Sequence, residues 1–418
     1  MNESATHGAG CPATPWMRTL DDQPLHRGTV NRVTPIRVAI LCDLAEEQWP
    51  SMDLVGEMLI EHLQRFHSST VEAVRIRPRF VRRFSRFGAT SRLAANADRL
   101  LNRMVDYPRH VRRVSANFDL FHLVDHSYSH LVHKLPSGRV IVTCHDLHTF
   151  RCLLEQDSEP RSLPFRLMTS RILSGLQKTS RIACVSETTR NELLHYRLVE
   201  PQRTVVIPNG VAPVYSPMPE PTSDREAARL LGSNTDVTEL LSVGSTVPRK
   251  RIDVLLRVFA AIYGRHRNLR LIRVGGRLNA SQTDLAQRLG IRSSIVELPF
   301  LDGRTLAAVY RRASLVLCPS EAEGFGLPLL ESMACGTPVV ASNLSVLREV
   351  GGRAALYAAV GDVPQWTDAV LDLLSERREL AAGRRRACVE QAKLFSWPKV
   401  AARTAELYRE GFASSFDH

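Results

Sequence analysis

From Pro319 to Pro338 the sequence combines residue types that could hold a phosphorylated ligand. An apolar run ends at Cys318, Gly324 and Gly326 follow, and Pro328 stands where a helix would begin, a position at which its missing N–H costs nothing. Glycines let the backbone approach a ligand closely. A helix start adds unpaired amides and about half a positive charge, a setting suited to phosphate. Glu323 and Glu331 are eight residues apart; on one continuous helix they would stand ~12 Å apart along the axis and could not act together. With Glu323 in the loop and Glu331 in the first helical turn, both carboxylates can accept from hydroxyls flanking a phosphate, which points to a sugar nucleotide.

Such residues must be positioned by a sheet. Strand-like runs at 36–42, 71–76, 120–124, 140–144 and 182–185 are each separated by enough chain for a helical crossover, the first of them near Met52 to Phe66. The rhythm then breaks at 207–222, where Pro208, Pro213, Pro217, Pro219 and Pro221 with Asn209-Gly210 disfavour a helix and predict a linker. It restarts with strands at 239–243, 269–274, 295–297, 315–318 and 338–341 and helices at 252–263, near Leu285, near Leu306 and at 328–334. A largely helical tail over 365–412 is interrupted at Ser396-Trp397-Pro398. The expected architecture is α/β with two doubly wound, Rossmann-like lobes: a flexible leader at 1–35, a first lobe at 36–207, a linker at 208–222, a second lobe at 223–395 and a terminal helix at 396–418. Ligands of such sheets bind at the carboxyl ends of the strands, so the site should lie between the lobes.

Composition agrees with a globular chain of this kind. Its 418 residues exceed the ~150 typical of one domain. A net charge of +12 favours anionic partners without choosing among them. The eight cysteines show no Cys-x-x-Cys pair or metal-ligand spacing and read as reduced core thiols of a cytoplasmic protein. No run reaches the ~18 apolar residues of a spanning helix, and the leader has no signal-peptide core. Residues 75–113 hold twelve Arg against Asp98 and Asp106, with Phe80, Phe84 and Phe87 at helical spacing. They predict a basic amphipathic face for an anionic membrane surface, and a peripheral location on its inner side.

The 319–338 segment resembles the Glu-x7-Glu motif of retaining glycosyltransferases of family 4, which have the two-lobed GT-B fold. The resemblance extends to Ser186-Glu187-Thr188, Ile207-Pro208-Asn209-Gly210-Val211, Leu241-Ser242-Val243-Gly244 with Pro248-Arg249-Lys250, Gly275-Gly276, Phe300-Leu301, Leu347-Arg348-Glu349-Val350 and Phe395-Ser396-Trp397. It covers roughly residues 36 to 412 and implies a terminal helix that returns to the first lobe.

It also implies a donor site in the second lobe, for a nucleotide diphosphate sugar. Glu331 would hold the ribose hydroxyls, Glu323 the donor-sugar hydroxyls, Gly324, Phe325, Gly326 and Leu327 would supply amides, Gly244 and Gly275 would line the phosphate loop, and Arg249 and Lys250 would neutralise the diphosphate. His145 resembles the family's cleft histidine, with Asp146 fixing its tautomer or a nearby loop. Many members carry an Arg directly after the loop glycine; this chain has Ser245. The family's glycine-rich loop after the first strand is replaced by residues 43–53, where Trp49 is a candidate sugar platform and Ser51 a candidate helix cap. No carboxylate stands out as a covalent nucleophile; the resemblance implies front-face transfer to a glycan or polyprenyl-linked acceptor with no cofactor, and because no Asp-x-Asp occurs no metal is expected. A nucleotide-sugar epimerase, a binding-only sugar-nucleotide sensor and a basic nucleic-acid-binding protein are the alternatives. Nucleic acid is not an expected partner, because no recognised binding module appears.

Overall fold

A computed structural model describes residues 34–47, 49–85, 92–155, 161–232 and 237–414; the leader through residue 33, Arg86 and Phe87 lie outside them. Among the described residues twelve strands form two parallel sheets of six. The first contains β1 (Ile36–Leu41), β2 (Val71–Ile76), β3 (Leu120–Leu123), β4 (Val140–Cys144), β5 (Arg181–Cys184) and β6 (Thr204–Val206), in the order β2-β1-β3-β4-β5-β6. The second contains β7 (Thr238–Val243), β8 (Leu269–Val274), β9 (Ile295–Leu298), β10 (Leu315–Cys318), β11 (Val339–Ser342) and β12 (Leu356–Ala358), in the order β12-β11-β10-β7-β8-β9. Both β3 and β4 are buried along their whole length, the continuous apolar pattern of a strand covered on both faces. The strand order reverses beside β1 in one sheet and beside β7 in the other, and these reversals open the crevices where such sheets take ligands.

The terminal helix Trp397–Ser414 crosses back to the first lobe. Its Trp397, Ala401, Ala405 and Tyr408 are buried in one cluster with Val38, Ile40, Leu59 and Leu63. The Tyr408 hydroxyl meets His122 Nδ1 at 2.6 Å, and His122 Nε2 meets Thr143 Oγ1 at 2.8 Å, tying that helix through β3 to β4. The linker and the tail run side by side: Val211 N donates to Phe395 O at 2.9 Å. A Cβ on Gly210 would stand 2.6 Å from Trp397 N, so only glycine fits this crossing.

Four expectations are corrected. The proline-rich stretch does start a helix, Pro221–Leu231, because Pro221 occupies the first turn and the Glu220 carboxylate accepts from Thr222 N and Ser223 N. Trp49, not Ser51, precedes the helix Pro50–Phe66, and it offers no side-chain cap. The three-residue strands β6 and β12 were too short to carry a pattern. Residues 77–84 are not helical. Pro78 interrupts them, and the Asp98 carboxylate from helix Arg92–Leu101 gathers the amides of Arg83, Phe84 and Ser85 at 2.9–3.0 Å, so Phe80 and Phe84 share no helical face. Burial opposes ionisation of Asp98, yet these bonds and the Ser85 hydroxyl hold its carboxyl well below the usual range.

Candidate functional site

The loops at the β7 reversal bring the charged residues of the second lobe together. After β7 the chain passes Gly244 and Ser245 to a short turn at Pro248–Lys250, and after β10 it passes Ser320 to Gly326 before the helix Leu327–Ala334. Lys250 Nζ donates to Glu323 Oε1 at 2.5 Å, Arg249 Nη1 lies 3.5 Å from Glu323 Oε2, and Ser320 Oγ donates to Glu323 Oε1 at 2.7 Å. Burial alone would lift this carboxyl; the charge and hydrogen bond of Lys250, then Arg249 and Ser320, hold it below the ordinary value. Arg249 also donates to Ala322 O, and Glu321 N donates to Arg249 O, so the two loops are stitched by backbone as well as charge.

Glycine is required where the loops approach. Gly244 has φ of 135° and Gly275, at the end of β8, has φ of 112°; a Cβ on Gly275 would stand 2.6 Å from Gly244 O. Gly326 has φ of 95° and precedes the helix. Pro328 has no N–H and Leu329 N and Leu330 N donate to Gly326 O at 3.0 and 3.2 Å, so of the opening turn the Leu327 amide alone has no intrahelical acceptor, fewer than the sequence suggested. Phe325 is turned inward, edge-on to Phe395 at 5.8 Å, so its side chain serves packing. Glu331 sits one turn into the helix, 7 % exposed, and accepts from the Tyr310 hydroxyl at 2.9 Å. Burial lifts its carboxyl to about 7 against hydrogen bonds from Tyr310 and Tyr215.

Across the cleft, His145 and Asp146 follow β4. Gly324 touches this segment, since a Cβ there would lie 2.0 Å from His145 O. Ser186 Oγ donates to Gly324 O at 3.2 Å, and Glu349 accepts from Glu187 N at 2.9 Å, so a second-lobe carboxylate caps the first-lobe helix Glu187–His195. A cavity between the lobes is lined by Asp146, Arg151 and Glu192 on one side and Glu321, Glu323 and Ser345 on the other.

His145 is not part of that lining. Its Nε2 donates to Val124 O at 2.7 Å, which fixes the ring in the first lobe and leaves Nδ1 as the acceptor of the neutral form. Burial, opposed by Asp125, holds the imidazole below its ordinary value. Asp146 does not set this tautomer: its Oδ1 accepts from His148 N at 2.9 Å, the loop-fixing alternative.

Three features had no counterpart in the motifs. Arg273, a charge inside the apolar run of β8, is buried behind Gly244. Tyr310 and Tyr215 come to Glu331 from distant positions that carry no local signal. Asp43, after β1, is buried beside Asp125; burial, then the charges of the neighbouring Asp125 and Glu47, push its carboxyl far up. Asp43 and Asp125 follow β1 and β3, which flank the first sheet's own reversal.

Comparison with known proteins places these features in a family. Residues 223–395 match the family described as glycosyl transferases group 1, and residues 57–214 match glycosyltransferase family 4. The D-inositol 3-phosphate glycosyltransferase of Corynebacterium glutamicum is 30% identical over 320 residues, covering 72% of this chain and 75% of that protein. The protein of the same name from Thermobispora bispora is 35% identical over 243 residues, 55% of this chain and 56% of its own length. Among solved structures, sucrose-phosphate synthase from Thermosynechococcus elongatus superposes with a TM-score of 0.71 at 20% identity, covering 91% of this chain and all of that one. Anabaena HepE, in complex with UDP and glucose, superposes with a TM-score of 0.65 at 15% identity over 89% of this chain and 99% of its own. Two parallel sheets in the GT-B arrangement, matched on both lobes by the family and along three quarters of a named relative, leave one assignment: the chain belongs to glycosyltransferase family 4.

Proposed function

We propose that this glycosyltransferase moves a sugar from a nucleotide diphosphate sugar to an acceptor hydroxyl with retention of configuration, by front-face transfer and without a metal cofactor. The observation that carries the reading is the Arg249–Lys250–Glu323 cluster at the β7 reversal, whose Glu323 lines the interlobe cavity. As the glycosidic bond breaks, the departing diphosphate gains negative charge. Fixed cations and the Leu327 amide at the helix start stabilise that charge more than the ground state. Glu331 is assigned to the ribose hydroxyls, Glu323 to hydroxyls of the donor sugar, and His145 Nδ1 to a sugar hydroxyl reached from the first lobe. The leaving phosphate takes the acceptor proton, and Asp146 holds the loop that borders the acceptor.

The acceptor is read as a glycan or a polyprenyl-linked sugar. Exposed Val81, Phe84, Leu93 and Leu100 beside exposed Arg79, Arg82 and Arg99 support a peripheral contact with an anionic membrane. No helix among the described residues is long and apolar enough to cross a membrane. A second reading, transfer to a small phosphorylated polyol, is favoured by the names of the relatives and by Arg151 in the cavity lining.

The test is a thermal-shift panel of nucleotide diphosphate sugars, in which a donor at ~100 times its Kd adds ~2.7 kcal/mol. Glu331→Ala should mainly weaken nucleotide binding. Glu323→Ala and His145→Ala should mainly lower turnover with donor still bound. Wild-type kinetics in all three variants would refute the assignment, and product analysis separates transfer from epimerisation.

A further inference from the structure

Arg273 is 1 % exposed, near the end of β8, which lies between β7 and the edge strand β9. Its Nη1 donates to Ser242 O at 3.1 Å and to Ser242 Oγ at 3.0 Å, and its Nη2 donates to Gly244 O at 2.8 Å. Its Nε is buried with no hydrogen-bond partner. Among the described residues no carboxylate forms an ion pair with it: the acid that acts on it by charge, Glu297, accepts from Arg292 Nη2 at 2.5 Å and from Leu278 N at 2.6 Å. A guanidinium held out of water without a counter-ion is costly unless a ligand supplies the opposite charge. Arg273 lines a cavity with Ser245, Lys250, Ser320, Glu323 and Gly326, directly behind the loop that follows β7.

We infer that Arg273 is a buried positioning residue of the donor site, whose guanidinium fixes the Gly244 carbonyl and supplies the positive charge that selects a nucleoside diphosphate over a monophosphate. The loop tip at Ser245 is uncharged, and Lys250 and Arg249 are shared with Glu323. A cation beneath the loop therefore supplies charge that the loop itself lacks. With Nη2 on the Gly244 carbonyl, that oxygen is turned inward and its negative end is kept away from an incoming phosphate. Burial lowers the guanidinium to about 10, which leaves it charged at neutral pH. The inference rests on the donor reading above and adds the residue that discriminates phosphate number.

The experiment is calorimetric titration of the full chain with UDP, GDP and ADP and with the corresponding monophosphates. The wild type should bind one diphosphate at least about tenfold more tightly than its monophosphate, the scale of one added charge-assisted contact. Arg273→Met and Arg273→Gln should bring that ratio to within about threefold of unity while monophosphate binding changes less than about twofold. Arg273→Lys keeps a cation and should retain most of the preference; adding Ser245→Arg to a neutral variant, across the same carbonyl, should restore it. A preference equal to wild type in the folded neutral variants would overturn the inference, as would equal loss of mono- and diphosphate binding in all three, the mark of a structural staple. A wild type that binds none of the diphosphates would overturn the donor reading itself, and this inference with it.

Discussion

At the scale of single residues, Glu331 makes nucleotide binding depend on pH. Its carboxyl is raised from the usual 4.5 to about 7 by burial, so the folded chain keeps a proton that the unfolded chain has lost. The folded pKa lies above the unfolded one, and this group's contribution to stability is therefore full below pH ~4.5, falls as pH rises toward ~7, and is flat above. Ligand binding runs the other way, because ribose hydroxyls donate to the ionised form. Nucleotide affinity should rise by up to about tenfold between pH 6 and pH 8, and Glu331→Gln should remove that part of the profile; calorimetry at the two pH values checks it. Both glutamates were legible in the sequence because a glycine loop followed by Pro328 is a local signal. The hydroxyls of Tyr310 and Tyr215 were not, since they reach Glu331 only through the packing of separate elements.

The loops and helices that join the lobes meet at Gly324. An added methyl there would collide with the His145 carbonyl, a backbone atom that cannot swing aside as a side-chain end can. Gly324→Ala should hold the lobes apart, lowering kcat by about a hundredfold or more, as expected when reacting groups are displaced by ~1 Å. Nucleotide binding to the second lobe should change little, and small-angle scattering should report a larger radius of gyration. Most strands were legible, since β4 and β10 are bounded, largely apolar runs and β2 and β8 are apolar runs broken only by Glu72 and Arg75 and by Arg270 and Arg273. What escaped depends on partners far along the chain. The course of residues 77–84 is set by a carboxylate at 98, and the helix Ser345–Gly351 carries Glu349, which caps a helix more than 150 residues earlier.

For the molecule as a whole, the basic segment of the first lobe presents Arg79, Arg82 and Arg99 beside exposed Val81, Phe84, Leu93 and Leu100 without requiring the helix that spacing alone suggested. Each surface arginine near an anionic bilayer contributes about 1 kcal/mol, so the triple reversal Arg79→Glu, Arg82→Glu, Arg99→Glu, which removes three attractions and adds repulsion, should reduce affinity for phosphatidylserine vesicles by about a hundredfold or more at low salt. Co-sedimentation at rising salt checks it, and recovery that ignores both lipid charge and the substitutions would exclude the contact.

The seating of Trp397 and Tyr408 among the β1 and β3 side chains has a consequence for biosynthesis. A ribosome releases the first lobe's strands long before it releases the residues that complete their hydrophobic centre. The second lobe's core, drawn from the contiguous stretch Leu240 to Val370, is complete in the chain before the 397–414 helix and can mature while the first is still waiting. The nascent amino-terminal half therefore lacks part of its core until the 397–414 helix emerges, and chains stalled before that helix should be cleaved by protease in this half sooner than the full chain.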